Sequence, residues 1–149
     1  MIDAALSSSG AQVVLATSSD ENYPPENIID GRTETFWIST GMFPQEFIIR
    51  FSNLVKVSVV TIQCYNVQNL SIEKSVSTDA ADFEKVMEKG LRKECTSNTL
   101  STRLEVAIIH LYIFNGTRAT HLRFVVKSGF DHFVSVHRVM VEGTIENHM

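Results

Sequence analysis

Apolar and polar residues alternate with a period of two along most of this chain. Successive side chains of a β-strand point to opposite faces, so this period is typical of strands that bury one face. Most glycines fall between the alternating runs, as turn residues do. Many short strands without intervening helices predict an all-β, antiparallel jelly-roll β-sandwich. The predicted strands are Gln12–Ala16, Glu46–Phe51, Val55–Tyr65, Gln68–Val76, Leu104–His110, His121–Lys127 and Phe133–Glu142.

In the last predicted strand, strict alternation divides the side chains into two faces. One face would carry Val134, Val136, Arg138 and Met140. The other would carry Ser135, His137, Val139 and Val141.

Length and composition limit the domain count and the class of partner. A chain of 149 residues with 44% apolar side chains can bury about two thirds of the surface of its unfolded state. We therefore expect one domain over residues 1–149. The formal net charge is −4 and the basic residues are scattered, which leaves no basic stripe for nucleic acid or anionic lipid. Neither is expected as a partner.

The N-terminus and the cysteines predict the compartment. Met1–Ser7 lacks the basic and long apolar regions of a signal peptide, and no run approaches the ~20 apolar residues of a membrane helix. Cys64 lies in an apolar run, and its spacing from Cys95 suggests no disulfide framework. We expect a soluble intracellular protein with two free thiols.

The segment from Pro25 to the only tryptophan, Trp37, concentrates oxygen donors in a short bend. Asp30 offers a carboxylate and Thr35 a hydroxyl. Gly31 can adopt a positive φ, which would turn its carbonyl and those of Asn27 and Arg32 toward one point. Oxygen ligands of this kind favour a hard cation, above all Ca2+. The same residues also fit a simple turn, in which Asp30 accepts a hydrogen bond from the amide two residues on and Thr35 bonds the same turn.

Three blocks in this region resemble the discoidin, or galactose-binding-like, jelly-roll superfamily. They are Ala16–Ser19, the pattern N-x-x-D-G-x-x-x-T-x-W over Asn27–Trp37, and Pro44–Ile49. The resemblance extends over nearly the whole chain. It implies that the loop closes around a structural Ca2+ ion, with further carbonyls from the start of the last strand, around Ser135 and Val136. The implied metal residues are Asn27, Asp30, Arg32, Thr35, Ser135 and Val136.

Two departures from the superfamily pattern bear on that site. Arg138 stands near the place where relatives often add a Glu ligand, and Glu142 lies further along the strand. Loss of one anionic ligand should weaken the site. In addition, Arg32 and Thr33 replace an Asn-Pro pair that many relatives carry.

Residues 79–90 fit two structures. Phe83, Val86 and Met87 recur at i, i+3 and i+4, which is a short-helix pattern. The segment Ser77–Val86, however, resembles the turn that galactose-binding-like domains place before a strand carrying an aromatic residue. The resemblance therefore favours a turn followed by a strand. The segment Ser97–Thr117 fits the family pattern poorly, and its structure is left open.

Within the superfamily, several blocks in register resemble subunits of the intraflagellar transport train. They include Pro24–Gly31, Glu34–Trp37, Thr40–Ile49 and Phe130–His137. The resemblance implies a noncatalytic subunit of the intraflagellar transport B complex that forms a heterodimer with a Rab-like small GTPase and supports ciliary protein transport. It places the protein in the cytoplasm, the cilium or flagellum and the basal body. The surface that meets the GTPase cannot be read from the sequence.

A carbohydrate-binding module of the same fold is the alternative, with Tyr23, Phe43 and Arg32 as a possible sugar platform. An enzyme is not expected, because His132 and His137 are an odd number of residues apart and would point to opposite faces of one strand.

Overall fold

The computed structural model describes residues 2–32, 34–91, 107–130 and 133–146. Across these ranges no helix is long and apolar enough to cross a membrane. Every recorded strand pair is antiparallel, which confirms the predicted all-β class. Two short 3-10 turns span Ser7–Ser9 and Pro25–Ile29. The strands are β1 (Ile2–Asp3), β2 (Gln12–Ala16), β3 (Trp37–Ile38), β4 (Gln45–Tyr65), β5 (Val67–Ser75), β6 (Glu84–Gly90), β7 (Ala107–Gly129) and β8 (Ser135–Ile145).

The strands form two layers because β4 and β7 are long enough to take part in both. The first layer contains β2, the start of β4, the end of β7, β5 and β6, in that order. The second layer contains β1 and β3 beside β8, then the end of β4 and the start of β7. The pairing of β4 with β7 shifts register between Arg50 and Val55, where the two strands pass from one layer to the other.

The core between the layers is built around stacked aromatic rings. The Phe47 and Phe124 rings stack with centroids 4.9 Å apart, and Trp37 meets Phe47 edge-on at 5.5 Å. All three side chains are fully buried. Burial of a large apolar side chain contributes about 1.5–3 kcal/mol, so this cluster is a major part of the stability of the sandwich.

The strand predictions are largely confirmed, with differences in length. The prediction for β2 is correct at both ends, whereas the predicted strands Glu46–Phe51 and Val55–Tyr65 form one strand, β4. Of the predicted strand Leu104–His110, residues 107–110 belong to β7 and residues 104–106 lie outside the described residues. In the segment 97–117, residues 107–117 likewise belong to β7, and the rest lies outside the described residues.

The predicted faces of the last strand are wrong, because β8 contains a β-bulge. Val136 pairs with Cys64, but the next pair joins Arg138 to Gln63, so His137 is an extra residue on β8. A bulge of this kind reverses which side chains face the core. Val136 is therefore buried, Arg138 and Met140 lie on the outer face, and the core side after the bulge carries Val139 and Val141.

Residues 77–83 form a turn and β6 follows, so the turn-and-strand prediction is confirmed and the helix alternative is wrong. Two side-chain hydroxyls hold this turn. Ser75 Oγ donates to the Ala81 carbonyl at 2.5 Å, and Thr120 Oγ1 lies 2.6 Å from the Ser77 carbonyl. His121, beside Thr120, is buried, and burial lowers the pKa of its imidazole.

Cys64 is a free, buried thiol on the core side of β4, as predicted. Burial in this apolar environment raises the pKa of the thiol to about 12, so Cys64 is protonated at neutral pH. Cys95 lies outside the described residues.

The close pairing of β8 with β4 requires a glycine at position 143, which lies opposite Val57. A Cβ atom there would lie 2.4 Å from the Lys56 carbonyl oxygen and 2.9 Å from Val55 Cγ1. Gly143→Ala should therefore lower the free energy of unfolding by about 1–3 kcal/mol through overpacking. Urea unfolding followed by Trp37 fluorescence measures this change.

Gly90→Ala is the matched control, since no atom lies within 4 Å of a Cβ at Gly90. Its free energy of unfolding should be unchanged or slightly higher. Equal stability of Gly143→Ala and the wild type would show that β8 can move away from β4 without cost.

Candidate metal-binding loop

The loop begins with a 3-10 turn that the sequence defines well. Pro25 occupies the first turn, where its fixed φ suits a helical start. Ile28 and Ile29 follow and are buried in the core. These two side chains fix the end of the turn and therefore the position of Asp30, which terminates it.

Asp30 organises the bend through both of its carboxylate oxygens. Oδ1 accepts a hydrogen bond of 2.8 Å from the amide of Arg32, and Oδ2 accepts one of 2.6 Å from Thr35 Oγ1. Gly31 between them has a φ of +81°, which glycine adopts without steric cost. The carboxylate and the hydroxyl thus converge inside one short bend, with the turn hydrogen bonds expected from the residue types.

Side-chain hydrogen bonds tie the two ends of the loop to the rest of the fold. Asn27 Nδ2 donates to the Phe36 carbonyl at 3.0 Å, which joins the beginning of the loop to its end. Trp37 Nε1 donates to the Ser18 carbonyl at 2.9 Å. The loop is therefore fixed both across itself and to the segment that follows β2.

The block Ala16–Ser19 has a related structural role. Thr17 Oγ1 donates to the Glu46 carbonyl at 3.0 Å, while the Glu46 amide donates to the same hydroxyl at 2.8 Å. Ser18 Oγ donates to Gln45 Oε1 at 2.7 Å and accepts from the Thr40 amide at 2.9 Å. These bonds align the segment before the loop with the start of β4.

The end of the loop lies against the start of β8. Trp37 pairs with Val136 and Ile38 pairs with Ser135 in the antiparallel ladder of β3 and β8. Both β8 residues are buried. The structure thus places Ser135 and Val136 beside the residues that follow Thr35, although more than ninety positions separate them in the sequence.

Five of the six predicted metal residues contribute to closing the loop or to its contact with β8, and the sixth, Arg32, contributes its backbone. Asp30 and Thr35 are in direct contact, Asn27 closes the loop, and Ser135 and Val136 lie along its end. Arg32 contributes its backbone to the bend while its side chain is exposed.

Neither Arg138 nor Glu142 of the last strand adds an anionic ligand to this site. Arg138, near the place of the Glu ligand in relatives, forms an ion pair with Asp3 at 3.4 Å. Glu142 lies opposite Asp3, toward the far end of β8. Within the described ranges, no three His, Cys, Asp or Glu side chains are grouped so that they could hold an ion. A cation here would have Asp30 as its carboxylate ligand, with hydroxyl and carbonyl oxygens completing a set that suits Ca2+.

A row of three rings beside the loop was not foreseen from the sequence. The Tyr23 and Phe36 rings stack at 4.7 Å, and Phe36 meets the His137 ring at 4.9 Å. His137 is the extra residue of the β8 bulge, so the contact depends on a register that the sequence pattern does not reveal. His132 lies outside the described residues.

The three residues of the candidate sugar platform differ in exposure. Phe43 is partly buried and packs against the core, and Tyr23 presents part of its surface while one face stacks on Phe36. Arg32 is exposed.

Comparison with known proteins agrees with this architecture. The model of the F5/8 type C domain matches residues 13–139. The human intraflagellar transport protein 25 homolog is 50% identical over 148 residues, covering 99% of this chain and 96% of its own. The Chlamydomonas reinhardtii intraflagellar transport protein 25 is 39% identical over 143 residues, covering 96% of this chain and 70% of its own. The chain belongs to the intraflagellar transport protein 25 family, with an F5/8 type C domain fold.

Two solved structures share the fold of this chain. A family 32 CBM from C. perfringens NanJ in complex with galactose has a TM-score of 0.75 at 17% identity, covering 95% of this chain and 98% of that one. The C-terminal domain of a chitobiase from Bacteroides fragilis has a TM-score of 0.74 at 20% identity, covering 95% and 99%. At these identities the likeness concerns the fold alone.

The hydrogen bond from Thr35 to Asp30 should stabilise the loop without any metal. Thr35→Val keeps the shape of the side chain but removes the donor, so the free energy of unfolding in EDTA should fall by about 1 kcal/mol. Chemical unfolding followed by Trp37 fluorescence measures the loss.

Thr40→Val is the control, because Thr40 is exposed and its recorded bond uses only its backbone amide. That variant should match the wild type. If Thr35→Val is as stable as Thr40→Val, the hydrogen bond from Thr35 to Asp30 contributes nothing to the free energy of unfolding.

Proposed function

We propose that this protein is a noncatalytic subunit of the intraflagellar transport B complex that forms a heterodimer with a Rab-like small GTPase and supports ciliary protein transport. The observation that carries the proposal is the 50% identity to the human homolog along 99% of the chain. The names of the relatives describe a transport protein, which supports a noncatalytic role. The proposed locations are the cytoplasm, the cilium or flagellum and the basal body.

Binding to the GTPase can be tested with purified proteins. Wild-type protein co-expressed with the Rab-like GTPase of the intraflagellar transport train should elute as one stoichiometric complex in size-exclusion chromatography, with its mass given by light scattering. A glycan array probed with the same protein should show no specific signal. Separate elution of the two proteins, together with a specific glycan signal, would favour the carbohydrate-binding module and reject the proposal.

We also propose that the loop binds a structural Ca2+ ion. The proposed ligands are Asn27, Asp30, Arg32, Thr35, Ser135 and Val136, with Asp30 and Thr35 using side-chain oxygens and the others carbonyls. The convergence of the Asp30 and Thr35 oxygens within 2.6 Å supports this role. A bound divalent ion would supply positive charge that holds these oxygens together. The chain itself contributes the preformed bend and the pairing of β3 with β8.

Ca2+ should raise the stability of the protein by mass action. At a free concentration of one hundred times the dissociation constant, the free energy of unfolding should increase by about 2.7 kcal/mol. The melting temperature of the wild type should therefore be higher in Ca2+ than in EDTA. Asp30→Ala should remove this difference, because it deletes the proposed carboxylate ligand.

Asp20→Ala is a close control for this substitution. Asp20 Oδ1 accepts from the amide two residues on, that of Asn22, at 2.9 Å, just as Asp30 does from Arg32. Asp20→Ala therefore loses the same kind of turn hydrogen bond and should keep the response to Ca2+. Identical melting curves of the wild type in Ca2+ and in EDTA would rule out a calcium site.

A further inference from the structure

The outer faces of the two layers differ in how far their side chains cover the sheet. On the first layer, Arg123 forms an ion pair with Glu73, and the Phe83 ring lies 4.4 Å from its guanidinium carbon. Glu88 is bonded to Lys127 at 2.7 Å and to Lys85 at 2.9 Å. This face is covered by its own ion pairs and by the turn before β6.

The outer face of the second layer carries an open groove instead. Thr61 pairs with Met140, and Gln63 pairs with both Arg138 and Ile108, so side chains from three neighbouring strands stand together on this face. They enclose a shallow groove of about 250 Å³. Arg138 and Met140 reach it only because the bulge at His137 turns them away from the core.

Two features of the groove indicate what it can accept. Ile108 is 59% exposed, an unusual degree for a large aliphatic side chain on a sheet face. The Arg138 side chain is 26% exposed, and its recorded ion pair, from a terminal nitrogen to Asp3, is long at 3.4 Å. The exposed part of the guanidinium therefore has donors that an acceptor from outside can use.

We propose that this groove is the docking surface for a protein partner that inserts one apolar side chain beside a carboxylate or carbonyl oxygen. The apolar side chain would cover Ile108 and Met140, and the oxygen would accept from the exposed part of the Arg138 guanidinium. The volume of about 250 Å³ is close to the lower limit of typical small-molecule pockets, ~300–1,000 Å³, and is ample for one apolar side chain. Met and Arg are also enriched at protein interfaces. The assignment of this face to the GTPase rests on the proposed function.

The test uses the co-expressed Rab-like GTPase as the probe and two matched pairs of variants. Ile108→Glu places a charge in the groove, and its control Val76→Glu alters an aliphatic side chain that is 60% exposed at the end of β5. Met140→Arg is compared with Met42→Arg, in a bend before β4. Melting temperatures establish that each variant is folded, and affinity is measured by calorimetry.

We expect Ile108→Glu and Met140→Arg to weaken binding about tenfold or more, since both bury an unpaired charge at the interface. Val76→Glu and Met42→Arg should stay within about twofold of the wild type. Arg138→Lys keeps the charge but lacks the planar guanidinium with its several donors, and it should weaken binding by a smaller factor. Unchanged affinity of Arg138→Lys would overturn the assigned acceptor.

The outcomes separate this inference from the proposed function. If the wild type binds the GTPase and the groove variants bind equally well, the docking surface is wrong while the proposed function stands. If the wild type does not bind, both are overturned. If light scattering shows that the wild type alone is a dimer and Ile108→Glu is a monomer, a second copy of this chain occupies the groove, and the inference is overturned.

Discussion

The pairing of Trp37 with Val136 is the contact on which the rest of the structure depends. This pairing joins the end of the candidate loop to the last strand. The indole of Trp37 packs in the core against the Phe47 ring. The indole N–H also bonds the Ser18 carbonyl, so three distant segments meet at one side chain. Because a buried tryptophan must both pack and satisfy its donor, few other arrangements of these segments are compatible with it. The loop before Trp37 is consequently preformed.

The class of fold could be predicted from the sequence because it depends on a local property, the period of two. The turn at residues 77–83 could also be predicted, since a resemblance supplied the choice between helix and strand. The faces of β8 could not. One inserted residue, His137, reverses the alternation, and strict alternation carried through the whole strand cannot accommodate it. The continuity of β4 was missed for a similar reason, as the polar residues after Phe51 look like a loop but lie within one bent strand.

The candidate site shows the same division between local and long-range information. The bonds of Asp30 to the Arg32 amide and to Thr35 follow from residue types a few positions apart, and the sequence pattern anticipates them. The position of Ser135 and Val136 was supplied only by resemblance to a superfamily, because no local rule relates them to Trp37. The ring contact between Phe36 and His137 and the groove around Met140 required the register of paired strands, which a single sequence does not determine.

The bulge in β8 explains how one strand can serve two separate surfaces. Before it, Val136 faces the core and Ser135 lies beside β3, which keeps the strand closely packed against the loop. At the bulge, His137 reaches the Phe36 ring and extends that packing. After it, Arg138 and Met140 face outward across Gln63 and Thr61, while Val139 and Val141 fill the core. Without the extra residue, Arg138 would point into the sandwich, where an unpaired guanidinium is strongly disfavoured. The extra residue therefore allows β8 to pack against the loop through the buried Val136 and to present Arg138 and Met140 on its outer face.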